Sequence, residues 1–274
     1  MRREILEEIF KTRTPVIGVT HLLPLPGSPK YDGMPVRDVA ANAVEETKVM
    51  VDNGVNAIIF ENFHDMPFLK EVGPETTAAM TFIGQTLKEK FSIPLGICLL
   101  QADGIGAIAI AKAIELTCIR APYYTETYVV DTGLIDSIAG KLQRYKTFLK
   151  CNAYVLADVH IKHAFPLLQR PIEQSAEDTL GRGLADAIIV TGLKTGGETD
   201  LEDIKRVRNA LPDAPLIVGS GVSVENVQQY LPYVDGIIIS TGFRKNKALD
   251  EKVDPMLVSQ FMRIVANYRK SLPK

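Results

Sequence analysis

An acid, an imidazole and an amine recur at alternate positions in Asp158-Val159-His160-Ile161-Lys162-His163, directly after the apolar run Tyr154-Val155-Leu156-Ala157. On a β-strand this spacing sends Asp158, His160 and Lys162 to one face and Val159, Ile161 and His163 to the other. Burying such groups unpaired is costly. They therefore read either as a satisfied polar network inside the fold or as a reactive site. In the second reading Asp158 or His160 moves a proton and Lys162 stabilises developing negative charge. A Schiff-base role for Lys162 is a further alternative and requires a depressed pKa. Asp158, His160 and His163 are also residue types that suit zinc or manganese. The opposed faces of His160 and His163 and the charge of Lys162 weigh against a metal, so no cofactor is expected and a divalent ion is the lesser alternative.

Other polar residues fall at the ends of apolar runs. His21 follows Val16-Ile17-Gly18-Val19-Thr20, Glu61 and Asn62 follow Ala57-Ile58-Ile59-Phe60, and Arg120 follows Cys118-Ile119. Arg120 offers a planar fork for a carboxylate or phosphate, and an ion pair with Glu61 or Asp158 is equally natural. Gly219-Ser220-Gly221 and Ser240-Thr241-Gly242 each follow an apolar run as well. Glycines let backbone N–H groups approach an anion, and a helix beginning at Val222-Ser223-Val224-Glu225-Asn226 would add a positive dipole. The plainer reading of both triplets is tight turns. Thr191-Gly192, with Lys194 and Gly196-Gly197 close behind, makes a third polar loop of the same kind.

Eight apolar strands are needed to position these residues: 16–22, 57–62, 95–101, 118–120, the stretch 154–163, 187–191, 216–219 and 235–240. Helical patterns separate them at 36–53, 75–90, 106–116, 134–150, 176–184 and 199–211, and a last helix covers 255–270. Residues 123–133 read as a loop, and Thr199-Asp200-Leu201-Glu202 has capping-box spacing. Strands apolar on both faces belong to parallel sheets covered by helices. Eight βα units in 274 residues predict a single closed (β/α)8 TIM barrel over residues 1–274, with a short N-terminal helix at 1–10. In such barrels the active face is the C-terminal end of the strands, where His21, His64, His160 and His163 all fall on this assignment. Phosphate is commonly held after strands seven and eight, where the two glycine triplets lie.

Composition narrows the partners. Lys and Arg number 31 against 33 Asp and Glu, for a net charge of −2, a balance that argues against nucleic acid. The odd cysteine count (Cys98, Cys118, Cys151) with wide spacing fits buried, reduced thiols. Neither a signal peptide nor a run of about 20 apolar residues is present, so a soluble cytoplasmic protein is expected, and a homo-oligomer with it.

Several longer segments, in order, carry a resemblance. Phe10-Lys11-Thr12-Arg13-Thr14-Pro15-Val16-Ile17-Gly18-Val19, His21-Leu22-Leu23-Pro24-Leu25-Pro26-Gly27, Glu61-Asn62-Phe63, Ala157-Asp158-Val159 with Lys162-His163-Ala164, Arg182-Gly183-Leu184-Ala185-Asp186 and Gly219-Ser220-Gly221 resemble the BtpA family. The resemblance implies a TIM barrel like the phosphate-binding barrels. It also implies a role known for cyanobacterial members, which support photosystem I accumulation and associate peripherally with thylakoid membranes. Photosystem I assembly components are then partners by implication. Two segments depart from the family's pattern: Leu100-Gln101-Ala102-Asp103 stands where Leu-Arg-Asn-Asp is usual, and Arg120-Ala121-Pro122 where Arg-Val-Asn is usual. Loss of an arginine and an asparagine from the active face implies a changed substrate or lost catalysis. Two functions follow. One is binding, with acid/base chemistry of isomerase, lyase or glycosyl-transfer type, of a sugar phosphate or nucleotide. The other is a non-catalytic assembly scaffold.

Overall fold

In the computed structural model, residues 3–161, 163–192 and 197–273 are described. Alternating apolar runs and amphipathic helices give strands β1 (Val16–His21), β2 (Ala57–Glu61), β3 (Leu95–Cys98) and β4 (Cys118–Ala121), followed by the short pair β5 (Tyr128–Val130) and β6 (Gly133–Ile135). Next come β7 (Tyr154–Val159), the two-residue β8 (Phe165–Pro166), β9 (Ala187–Thr191), β10 (Leu216–Gly219) and β11 (Gly236–Ile239). Eight of these pair in parallel and close on themselves in the order β1-β2-β3-β4-β7-β9-β10-β11, a TIM barrel as the alternation predicts. The helices are α1 (Ile5–Phe10), α2 (Val36–Asp52), α3 (Pro74–Lys90), α4 (Gly104–Ala113), α5 (Ala139–Phe148), α6 (Ile172–Gly181), α7 (Leu201–Ala210), α8 (Val227–Tyr230) and α9 (Pro255–Ser271).

The period-2 alternation of each strand divides the apolar residues into two cores. Ile58, Phe60, Ile97, Ile119, Val155, Val190, Val218 and Ile239 pack outward among the helices. Ile17, Val19, Ile59, Leu156, Ile189, Ile217 and Ile238 form an inner cluster, joined by Leu6, Ile9 and Phe10 of α1. The short N-terminal helix thus seals one end of the barrel with three large side chains. Each contributes about 1.5–3 kcal/mol by leaving water.

Three expectations change. Residues 128–135 form a hairpin where a loop and the start of a helix were expected, and α5 begins only at Ala139. The β-branched pair Val129-Val130 favours a strand, and Gly133, at φ 94°, takes the left-handed turn position. With β8 the hairpin makes a three-stranded sheet beside the barrel. The capping box is not formed: Asp200 is the N-cap and accepts from the Glu202 N–H at 2.9 Å. Thr199 instead donates its hydroxyl to the Gly219 carbonyl at 2.6 Å. Finally, the helix after Gly219-Ser220-Gly221 is a single turn, α8, because Asn226 accepts from the Ser223 N–H at 2.8 Å and occupies the preceding residues in a turn of their own. Among the described residues no helix is long and apolar enough to cross a membrane.

Candidate functional site

At the C-terminal end of the barrel the inward positions change from aliphatic to charged. His21 ends β1, Glu61 ends β2, Arg120 lies in β4 and Asp158 in β7, and all four are buried. Arg120 donates from Nε and Nη2 to the two carboxylate oxygens of Asp158, both at 3.0 Å. Its Nη1 stands 3.9 Å from Glu61 Oε2, beyond hydrogen-bond reach. Glu61 Oε1 in turn lies 2.9 Å from His21 Nε2. Burial works against the arginine's charge, but Asp158 and, at longer range, Cys98 and Glu61 outweigh it and hold the guanidinium pKa well above its ordinary value. The chain His21–Glu61–Arg120–Asp158 is one electrostatic unit.

The second half of the ring leaves room. Gly219 faces inward, where a Cβ would meet Ile189 Cγ2 at 3.3 Å and Thr191 Cγ2 at 3.5 Å. Beside its neighbour Ser220 lies a small nook of about 30 Å³ lined by His21, Glu61, Arg120, Ser220, Ser240 and Thr241, space for about one water. His21 Nδ1 and Ser240 Oγ are buried there without a hydrogen-bond partner among the described residues. The other two glycines of the triplets, and Gly192 after β9, serve a different end. A Cβ on Gly221 would meet the Gly197 carbonyl at 2.3 Å, one on Gly192 the same oxygen at 2.4 Å, and one on Gly242 the Val222 carbonyl at 2.1 Å. Those three glycines permit loops to pack against each other. With α8 only one turn long, the first triplet has little helix dipole to offer an anion.

Glu61 and Arg120 also border a larger chamber of about 650 Å³, with Phe63, Phe68, Tyr123 and Phe165 among its walls and Gln101, Asp131 and His163 at its sides. Phe63 stacks on the His21 ring at 4.7 Å between centroids. Gln101 is engaged at both ends: its amide donates to Asp131 Oδ1 at 2.9 Å and its carbonyl accepts from Thr132 Oγ1 at 2.6 Å. The residue that departs from the family pattern thus clips the β5–β6 turn to the loop after β3.

The strand alternation expected beyond Asp158 breaks. Strand β7 ends at Val159, and His160 has φ 50°, so its side chain leaves Asp158's face and its Nε2 lies 3.3 Å from Ser175 Oγ on α6. His163, also with positive φ, lines the large chamber. Lys162, Lys194 and Gly196 lie outside the described residues. Asn62 supports the site from behind, donating to Asp65 Oδ2 and to the Leu100 carbonyl and accepting from the Leu100 N–H at 2.7 Å. Asp65 is held above its usual pKa by burial.

Gln101 stands out in the sequence only as a departure from the family pattern, and Phe63 and Tyr123 are not marked as site residues. Phe63 was adjacent to Glu61-Asn62. Nothing local marks Tyr123, which is buried at φ 54°. His64 was placed at this face, but its environment was not: burial first, then the charges of His21, Lys30 and Arg244, lower its pKa. Arg244 is itself buried, with Nη2 donating to Glu46 Oε1 at 2.6 Å.

Comparison with solved structures gives the same architecture at low identity. Phosphoribosyl anthranilate isomerase of Thermus thermophilus aligns at TM-score 0.56 and 12% identity, over 93% of this chain and 99% of that one. Native KDPGal aligns at TM-score 0.60 and 12% identity, over 94% and 98%. Mycobacterium tuberculosis tryptophan synthase aligns at 0.57 and 17%, over 94% and 96%.

Relatives by sequence are much nearer. The photosystem I biogenesis protein BtpA of Synechocystis is 38% identical, over 98% of this chain and 93% of its own length. An uncharacterized protein of Archaeoglobus fulgidus is 41% identical over 86% and 93%. The putative sgc region protein SgcQ of Escherichia coli is 33% identical over 97% and 99%. With the BtpA family's sequence model matching residues 12–267, the chain belongs to the BtpA family.

Proposed function

We propose that this chain binds a phosphate-bearing small molecule at the C-terminal end of the barrel and performs acid/base chemistry on it. The observation that carries the reading is the pair of orphaned polar atoms, His21 Nδ1 and Ser240 Oγ, on two buried residues that line the nook together with Arg120. Buried polar groups are rarely left unpaired unless a ligand or water completes them. Arg120 and the loops carrying Ser220, Ser240 and Thr241 then receive the anion. The nook has space for about one water, too little for a phosphate, which would seat at its rim.

Proton transfer falls to His21. With Nε2–H donated to Glu61, Nδ1 is left as the accepting nitrogen, and the carboxylate stabilises the imidazolium that forms. Asp158 has both oxygens engaged by Arg120, and its role here is to orient the fork. His160, turned toward Ser175, acts at most indirectly. Members of this fold run isomerase, lyase and transfer reactions on one scaffold, and the His21–Glu61 pair suits any of them that moves a proton next to an anionic group.

The experiment is a thermal-shift screen of sugar phosphates and nucleotides on the parent and on Gly219→Asp. Gly219 precedes Ser220 of the nook, and a Cβ there would meet only side chains, Ile189 Cγ2 at 3.3 Å first, so aspartate adds bulk and negative charge beside the nook. A compound that raises Tm of the parent but not of the folded variant supports the site. No shift with any phosphate compound sinks it.

A second reading rests on the 38% identity to the Synechocystis photosystem I biogenesis protein: a scaffold for assembly of that complex, peripheral to the thylakoid membrane. Equally similar relatives in Archaeoglobus and Methanocaldococcus carry no such name, so this reading rests on the one relative.

A further inference from the structure

The two cavities of the site differ in size and in chemistry, and they meet at one pair of side chains. Glu61 and Arg120 line both the nook of about 30 Å³ and the chamber of about 650 Å³. The chamber falls in the range that encloses a whole small molecule. The nook, with its hydroxyls and its orphaned histidine nitrogen, is polar. The chamber is walled by four aromatic rings, Phe63, Phe68, Tyr123 and Phe165.

Away from Glu61 and Arg120 the chamber's walls are mostly apolar, with Gln101, Asp131 and His163 as the polar exceptions. Gln101, which faces it, has both ends of its amide taken by Asp131 and Thr132. A bare sugar placed there would lose water from its hydroxyls without full replacement, at a cost. An apolar ring would instead gain contact area. Phe165 leaves 72% of its surface exposed at the mouth, apolar area that a bound ring would cover. Tyr123 is held at φ 54°, a conformation a large side chain rarely adopts, and its ring packs edge-on against Tyr128 at 5.5 Å between centroids. Strain of this kind persists only where the surroundings fix it, and it commonly marks ligand contacts.

We propose that the ligand is a phosphate ester carrying a flat aromatic ring, nucleotide-like in plan, whose faces rather than edges meet the walls. The phosphate sits on the nook side, the ring among the aromatic walls, and the atoms joining them over Glu61 and Arg120. The proposal rests on the phosphate reading above and narrows it: a small sugar phosphate would fill only part of the site. It also puts the reacting bonds between ring and phosphate, next to the His21–Glu61 pair.

The chain contains no tryptophan, so a fluorescent base can be followed directly. The parent protein is titrated with 1,N6-ethenoadenosine 5′-monophosphate, then with ethenoadenosine lacking the phosphate, and ribose 5-phosphate and inorganic phosphate are measured as competitors. The expected result is binding of the nucleotide at least about tenfold tighter than of either ribose 5-phosphate or the nucleoside, the scale of one base-on-aromatic contact. Phe68→Ser and Phe165→Ser should each weaken the nucleotide severalfold and leave ribose 5-phosphate unchanged. Phe165 is exposed, so its variant keeps the fold and secures the test if Phe68→Ser does not. Ribose 5-phosphate binding as tightly as the nucleotide would overturn the ring but keep the phosphate reading. Nucleoside binding as tightly as nucleotide would overturn the joint site, and no binding by any phosphate compound would overturn both.

Discussion

Two buried arginines, one at each end of the barrel, show what separates a structural charge from an available one. Arg208, on α7, donates to the carbonyls of Tyr233, Pro212 and Ala214 at 2.8, 2.7 and 2.9 Å and to Asp235 Oδ2 at 2.6 Å. Its donors are used up holding the loops at the N-terminal ends of the strands. Arg120 is equally hidden, yet two of its nitrogens meet Asp158 and the third faces a carboxylate at 3.9 Å across a cavity. Burial lowers the pKa of Arg208, where Asp235 only partly offsets it, whereas the acidic neighbours of Arg120 raise its pKa. The first arginine is enclosed mainly by neutral carbonyls. The second is set among carboxylates, and its third nitrogen, 3.9 Å from Glu61, has no hydrogen-bonded partner as close as those at Asp158.

The comparison can be broken most sharply through the carboxylate partners. Asp158→Ala strands Arg120 in the barrel interior and should cost about 3–5 kcal/mol in urea unfolding, the penalty for an unpaired buried charge. Asp235→Ala leaves Arg208 with its carbonyls and should cost about 1–3 kcal/mol. A larger loss at Asp235 than at Asp158 would invert the distinction. The next largest effect separates stability from binding. Arg120→Lys keeps the charge but loses the fork, so affinity for phosphate compounds should fall about tenfold in calorimetric titration. Arg208→Lys should leave that affinity alone and reduce stability by about 1–3 kcal/mol. A drop in affinity for both variants would mean that the site responds to general loosening.

The smallest expected effect concerns pH. His64 has its folded pKa lowered from 6.5, mainly by burial and by the nearby charges of His21, Lys30 and Arg244. Above the unfolded value the histidine is neutral in both states and contributes nothing. As pH falls through 6.5 the unfolded chain takes up the proton first, so stability declines until the folded pKa is passed. A His64→Gln variant should show a shallower fall of Tm between neutral and mildly acid pH than the parent. Identical slopes would remove His64 from the account.

Much of this architecture was legible in the sequence because it depends on patterns that recur. Eight apolar runs ending in polar residues can be read one strand at a time, and the barrel follows from their number and spacing. Glu61 and Arg120 were found by position, as the first polar residues after such runs. Where local geometry is set by distant partners, reading failed. Thr199 looks like a helix cap until the Gly219 carbonyl, twenty residues on in the chain, takes its hydroxyl. His160 looks like Asp158's neighbour until one positive φ turns it toward Ser175. The hairpin at 128–135 was hidden because a three-residue strand carries too little periodicity to announce itself. The aromatic walls could not be seen at all, since Phe63, Phe68, Tyr123 and Phe165 come from three separate loops.

The seal formed by α1 bears on the traffic of molecules through the barrel. With Leu6, Ile9 and Phe10 filling the far end, whatever reaches the charged ring must depart through the opening by which it arrived. A ligand held at the charged ring would therefore bar the entry of another until it leaves.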